Sequence, residues 1–207
     1  VYKRQVFLAV KPQQLDDVLD SIKDAVDEES VIISICAGIT GEYIKSKTIE
    51  NAKVVLVMPN TPLLLGEGAS ALARVESVSE HEFDLVCKIF SSCGKIAVIP
   101  KEKMKEIIAI NGSSPAFIYL YSKAFVDYAK SVGIDEEVAK TLFAQTLIGS
   151  AKMITDSGYS IDELIKMVSS KGGTTIAGLE KLYDGSLEET AKKACEACTQ
   201  RAYELSK

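Results

Sequence analysis

Three groups of residues have types and spacings that could do chemistry. Ser169-Ser170-Lys171-Gly172-Gly173-Thr174-Thr175 lies between two helical patterns. Two glycines followed by two hydroxyls at a helix start can turn several backbone N–H groups toward an anion, and the helix dipole adds to the attraction. A carboxylate or a phosphate fits this reading. So does a plain helix–helix connection with a threonine cap. The second group is a set of strand ends: Ala9-Val10-Lys11-Pro12, Cys36-Ala37-Gly38 and Pro59-Asn60-Thr61-Pro62. Small residues there let a flat ring or a phosphate approach the backbone, and Asn60 offers both a donor and an acceptor. Ordinary strand-end turns use the same residue types. The third group, Asn111-Gly112-Ser113-Ser114-Pro115-Ala116, could line a cleft or act as a hinge. Local rules favour a serine cap with proline at the first helical position.

The elements that must carry these residues are legible in the hydrophobic pattern. Continuous apolar runs occur at 6–10, 31–36, 54–58 and 96–99, with a weaker one around Leu72, Ala73 and Val75. Leu15, Val18, Leu19, Ile22 and Val26 recur at helical spacing between the first two, and Phe83, Val86, Cys87 and Phe90 do so later. Short apolar runs alternating with amphipathic helices predict parallel strands buried on both faces, a doubly wound α/β sheet. Ligands of such sheets bind outside the carboxyl ends of the strands. Beyond Lys101 the pattern becomes helical. Gly133 and Gly158 end helices, Asp135 caps one, and Ser160 with Glu163 and Ser186 with Glu189 spell capping boxes. The expected organisation is an α/β domain over residues 1–100 and an all-helical domain over 101–207.

Composition narrows the function. With 207 residues, 47% of them hydrophobic and 26% charged, the chain can bury a real core and is not a disordered segment. A net charge of −5 argues against general nucleic-acid binding. No apolar run approaches bilayer length, and five cysteines do not make a disulfide scaffold. A soluble protein of a reducing compartment, the cytoplasm, is expected. The chain opens on Val1, and Tyr2 leads through charged residues into a buried strand, so an earlier part of the natural protein is expected to lie outside this sequence.

Taken in order, these phrases resemble the pyrroline-5-carboxylate reductase family from end to end. They are Phe7-Leu8-Ala9-Val10-Lys11-Pro12, residues 34–39, Met58-Pro59-Asn60-Thr61-Pro62 with Gly66-Glu67-Gly68, and Gly112-Ser113-Ser114-Pro115-Ala116. Gln145-Thr146 with Gly149, Ala151, Lys152 and Met153 follows, and then Gly172-Gly173-Thr174-Thr175-Ile176-Ala177-Gly178-Leu179. The resemblance implies an incomplete Rossmann-like fold, with roughly 60 residues including the Gly-rich phosphate turn lying ahead of this chain. It implies reduction of 1-pyrroline-5-carboxylate to L-proline, the last step of proline biosynthesis, with NADPH or NADH as hydride donor. It places Ala9, Val10, Lys11, Pro12, Ile35, Cys36, Ala37 and Gly38 on the cofactor, and Asn60 and Pro62 near the nicotinamide. Ser170, Gly172, Gly173, Thr174 and Thr175 would bind substrate, with Thr175 hydrogen bonding the ring nitrogen as orienter or relay. No metal is implied. The helices would intertwine two copies as a homodimer, within a larger ring such as a decamer, and each active site would draw on helices at the dimer interface.

The chain departs from the family pattern at Lys171, where many relatives have proline, and at Ser114, where they have glycine. Gly158 and Met167 stand where some relatives carry polar residues. His81, between Glu80 and Glu82, reads as a surface residue. Cys195 and Cys198 read as helix packing, Cys36 as filling space beside the cofactor, and the lysines at 101, 103 and 105 as a solvated helix face. Two other functions compete: a 3-hydroxyacid type of dehydrogenase using Lys123, which leaves the glycine loop unexplained, and a non-catalytic dimerising fragment.

Overall fold

In the computed structural model, residues 5–206 are described, so the charged lead-in from Tyr2 lies outside the described residues. Five strands form one sheet in the order of the chain: β1 (Gln5–Leu8), β2 (Val31–Ser34), β3 (Lys53–Met58), β4 (Gly68–Arg74) and β5 (Gly94–Val98). The register sets Val6 beside Ile32 and Ile32 beside Val54, both parallel. Between β3 and β4 the pairing is antiparallel, with Leu56 opposite Ala73, and β4 then pairs β5 in parallel. This corrects the expectation of a wholly parallel sheet. A parallel return needs a crossover of a dozen or more residues. Residues 59–67 are too few, and they instead form a 3₁₀ turn, Thr61–Leu65, closed by Gly66 at φ 75°.

The alternation of side chains splits the apolar residues between two faces. Ile32, Val54, Leu56 and Ala73 face one side, where α1 (Leu15–Ile22) adds Leu15 and Leu19, and α2 (Gly41–Lys47) adds Ile44. Val31, Ile33, Val55, Val57 and Leu72 face the other, beneath Phe83, Val86 and Phe90 of α3 (Glu80–Ser91). Thr40 caps α2 by accepting from the Tyr43 N–H, and Ser79 with Glu82 forms a complete capping box on α3. The sheet is therefore covered on both faces, as a doubly wound architecture requires. The first Leu of α1 and the second, four residues on, are both fully buried.

The helical part holds α4 (Ser114–Ser131), α5 (Glu136–Asp156), α6 (Ile161–Met167), α7 (Thr174–Asp184) and α8 (Leu187–Glu204). Gly133 at φ 81° ends α4, Asp135 caps α5 through the N–H groups of Glu137 and Val138, and Ser160 with Glu163 boxes α6. The box expected at Ser186 is not formed. Ser186 sits at φ 52°, in the left-handed region, whereas an N-cap needs an extended backbone.

Two compact units result: one reaches Pro115 and takes in Ala194 onward, and the other is Ala116–Lys193. The serine cap expected for α4 is also absent. The chain enters that helix already coiled, through a π turn at Ile108–Gly112, and the Ser114 hydroxyl donates back to the Ile110 carbonyl at 2.6 Å. In the second unit, buried apolar residues among those described are Ala129 and Ala139, while Leu120, Leu142 and Ile148 stand 70%, 64% and 51% exposed. Such a surface is the mark of a unit whose core is shared with another chain.

Candidate active site

The first two strand ends are knitted together. The Ile35 N–H donates to the Leu8 carbonyl at 3.1 Å, continuing the β1–β2 ladder. The buried Cys36 thiol lies 3.4 Å from the Leu8 carbonyl and 3.2 Å from that of Val10, and donates toward both. Ala9 and Lys11 are exposed, and Pro12 opens a 3₁₀ turn that leads into α1. Gly38 takes φ 77°, and a β-carbon there would lie 3.4 Å from the Ala202 carbonyl of α8. The end of α8 thus packs close over the turn that follows β2.

Beside these strand ends lies a cleft of about 400 Å³, lined among others by Ser34, Cys36, Gly38, Met58, Lys101 and Tyr203. It gathers Cys36 and Gly38 from the expected cofactor residues. Ala9, Val10, Lys11, Pro12, Ile35, Ala37, Asn60 and Pro62 are not in its lining. Ala9 to Pro12 and Ile35 to Gly38 form one neighbourhood through the β1–β2 contacts above. Asn60 and Pro62 sit after β3, and the Asn60 Oδ1 accepts from the Ala69 N–H at 2.9 Å. The Asn60 side chain is therefore tied to the start of β4, which fixes its position after β3.

Lys101 does not lie on a solvated helix face. It sits in a 3₁₀ turn, Lys101–Lys103, and bridges Glu42 at 3.1 Å and Glu76 at 2.8 Å. The hydrogen bonds it donates to the Glu76 and Glu42 carboxylates hold its ammonium well above the ordinary lysine range. Tyr203 donates to Glu106 at 3.0 Å with the Lys105 ammonium 4.7 Å from its ring centre, which fastens the end of α8 to the same wall.

The sequence places Asn111 in a segment that could line a cleft or act as a hinge, without marking it as a donor to the sheet. Buried to 9% exposure in the π turn, it donates from Nδ2 to the Met58 carbonyl at 2.7 Å and the Ala69 carbonyl at 2.8 Å. An asparagine directly after the apolar stretch from Ile107 to Ile110 was the available signal. Local rules favour a serine cap in the segment that follows, which says nothing of where the amide points.

In the second unit, the glycine loop joins α6 to α7. Gly172 adopts φ 75°, Gly173 is extended as the N-cap of α7, and its N–H closes a turn onto the Ser170 carbonyl at 2.9 Å. Ser170 is thereby folded under Gly173: a β-carbon on Gly173 would meet the Ser170 Oγ at 2.7 Å. Thr174 and Thr175 form the exposed first turn. No side chain caps α7 and no acidic residue lies in its first turn, whereas α3 and α6 carry serine–glutamate boxes. The first-turn N–H groups, the dipole and the exposed Lys171 all favour an anion here. The loop brings together all the substrate residues the sequence suggested: Ser170, Gly172, Gly173, Thr174 and Thr175.

Among the described residues, no group of three or more His, Cys, Asp or Glu side chains could hold a metal ion, and no helix is long and apolar enough to cross a membrane. His81 is exposed.

Comparison with known proteins decides the lineage. The family model for pyrroline-5-carboxylate reductase dimerisation matches residues 101–205. The pyrroline-5-carboxylate reductase of Methanosarcina acetivorans is 35% identical over 202 residues, covering 98% of this chain and 75% of that protein. This chain belongs to the pyrroline-5-carboxylate reductase family. The crystal structure of Plasmodium falciparum pyrroline carboxylate reductase with NADP bound is 32% identical, with a TM-score of 0.93 over 99% of this chain and 78% of that one. A Coxiella burnetii pyrroline-5-carboxylate reductase gives 33% identity and a TM-score of 0.91 over 100% and 77%. The family is one of NAD(P)H-dependent oxidoreductases, and this chain carries its dimerisation domain. The residues present fit such a cofactor: Ala9 and Ala37 are small and exposed at the ends of β1 and β2, beside the cleft, and put no bulk in the way of a flat ring.

Proposed function

We propose that this protein reduces 1-pyrroline-5-carboxylate to L-proline, as a cytoplasmic homodimer that builds into a larger ring. The observation that carries the proposal is the glycine loop, an uncapped and acid-free helix start shaped to take a carboxylate, in a chain of this family. The residues from Ala9 to Pro12 and from Ile35 to Gly38 would hold the cofactor, with Asn60 and Pro62 toward its nicotinamide. Bound NAD(P)H supplies a hydride to the imine carbon, while the ring nitrogen ends as an amine carrying the proton that made the imine electrophilic.

The chain's own work is binding, orientation and proton placement. Backbone N–H groups at Thr174 and Thr175 hold the substrate carboxylate, while Ser170, whose carbonyl accepts from the Gly173 N–H, supports the loop from beneath. The Thr175 hydroxyl hydrogen bonds the ring nitrogen. A threonine hydroxyl is too weak an acid to supply the proton alone, so its part is to orient the ring or relay a proton from water. The gain is geometric: reacting atoms held about 3–3.5 Å apart react far faster than free ones.

Thr175→Ala tests the assignment. Turnover should fall by at least tenfold, a typical size for one lost transition-state hydrogen bond, with cofactor affinity unchanged. Unchanged turnover would remove Thr175 from the reaction.

A further inference from the structure

We infer that Asn111 is a positioning residue for hydride transfer, fixing the loop after β3 through its side-chain amide. The inference rests on the reductase reading above. Both N–H donors of one amide are used, on carbonyls of two antiparallel strands, Met58 at the end of β3 and Ala69 in β4. Ala69 is gripped from both sides, its N–H by Asn60 and its carbonyl by Asn111. Everything between those anchors, residues 59–68, carries the Asn60 and Pro62 assigned to the nicotinamide.

The cost of the arrangement argues that it is specific. Asn111 Oδ1 is buried and has no donor among the described residues. A buried acceptor without a partner is expensive, and an apolar side chain of similar size would avoid that penalty. What an apolar residue would lack is the pair of donors. The local backbone is also unusual. A π turn, with the Ser113 N–H donating to the Ile108 carbonyl at 2.8 Å, adds a residue to the coil and turns Asn111 toward the sheet. Gly112 permits the close approach: a β-carbon there would lie 3.2 Å from Met58 Sδ. A brace of this kind matters to chemistry because a shift of about 1 Å in a reacting group can cost about a hundredfold in rate.

The test compares Asn111→Ala and Asn111→Asp with the wild type, expressed from the complete reading frame. Asp keeps the shape and removes both donors. Should either fail to fold, Asn111→Ser, which keeps one donor, is measured in its place. The expected result is a kcat lowered by roughly tenfold or more, an increased primary isotope effect with 4-deuterated NAD(P)H, little change in cofactor Kd, and faster amide exchange over residues 59–69. Folded variants with wild-type kcat, isotope effect and exchange overturn the inference. Faster exchange with unchanged kcat and isotope effect overturns it as well, leaving a purely structural brace. A wild-type protein inactive on the imine overturns the reductase reading instead, and takes the role in hydride transfer with it.

Discussion

Replacing Gly173 by alanine should damage substrate binding by an amount the structure sets. The new β-carbon would lie 2.7 Å from the Ser170 Oγ and 3.0 Å from the Ser170 carbonyl oxygen. The hydroxyl can rotate away at the cost of a displaced side chain, about 1 kcal/mol. The carbonyl cannot move so easily, because it accepts the 2.9 Å bond from the Gly173 N–H that closes the loop. Stretching that bond costs about 1 kcal/mol more. The sum of about 2 kcal/mol, if it all falls on the substrate-bound loop, is roughly thirtyfold in kcat/KM. Gly172→Ala provides the contrast. Its φ of 75° disfavours alanine, yet nothing lies within 4 Å of the added carbon. The backbone penalty alone is about 1 kcal/mol, or roughly fivefold. The assay is kcat/KM for the imine at saturating NAD(P)H, with cofactor Kd as the control. A Gly173→Ala protein with wild-type kcat/KM, or one less impaired than Gly172→Ala, would refute the carboxylate cradle.

Three further outcomes follow from the geometry. Gly94→Ala should destabilise the sheet unit by about 3 kcal/mol or more, since the added carbon would lie 2.1 Å from the Gly68 carbonyl oxygen and the residue holds φ 145°; a melting temperature within two degrees of wild type, a margin of about 0.5 kcal/mol, would contradict this. Burial pushes the Glu82 carboxyl up, but hydrogen bonds from Lys53 and Ser79 outweigh it and hold it at about 2, so its stabilisation is complete above the unfolded pKa near 4.5 and is lost as pH falls toward 2. Denaturant unfolding of Glu82→Gln should therefore match wild type at low pH and fall short by about 1 kcal/mol at neutral pH; a constant gap across pH would sink the argument. Leu142→Asp, at a position 64% exposed on α5, should shift the protein toward monomer in sedimentation if that face meets a second copy. Unchanged mass at all concentrations would move the interface elsewhere.

Much of this was legible in the residues. The runs at 31–36 and 54–58 became β2 and β3 because β-branched residues filled both faces of the sheet. The caps at Asp135 and Ser160 were readable because capping is a local hydrogen bond. The antiparallel turn of β4 was not, since strand direction depends on the length of a connection rather than on the apolar run itself. Nor was the bridge from Lys101 to Glu42 and Glu76, whose partners lie far away in sequence. The glycine loop was found, and its ambiguity between cap and anion site was real from spacing alone. What the structure added is that the N-cap of α7 is Gly173, so the threonine cap is not formed and no side chain occupies that helix start. Asn111 was legible only as part of a possible cleft or hinge, because a serine cap is the commoner use of its neighbours and only the π turn reveals which way the amide faces.

The most direct test of the central claim is imine-dependent oxidation of NADPH and NADH by protein from the complete reading frame, followed by loss of absorbance and by detection of proline. The account predicts rapid turnover, with proline formed in equal amount to the cofactor oxidised. A folded dimer that binds the cofactor yet forms no proline would contradict it.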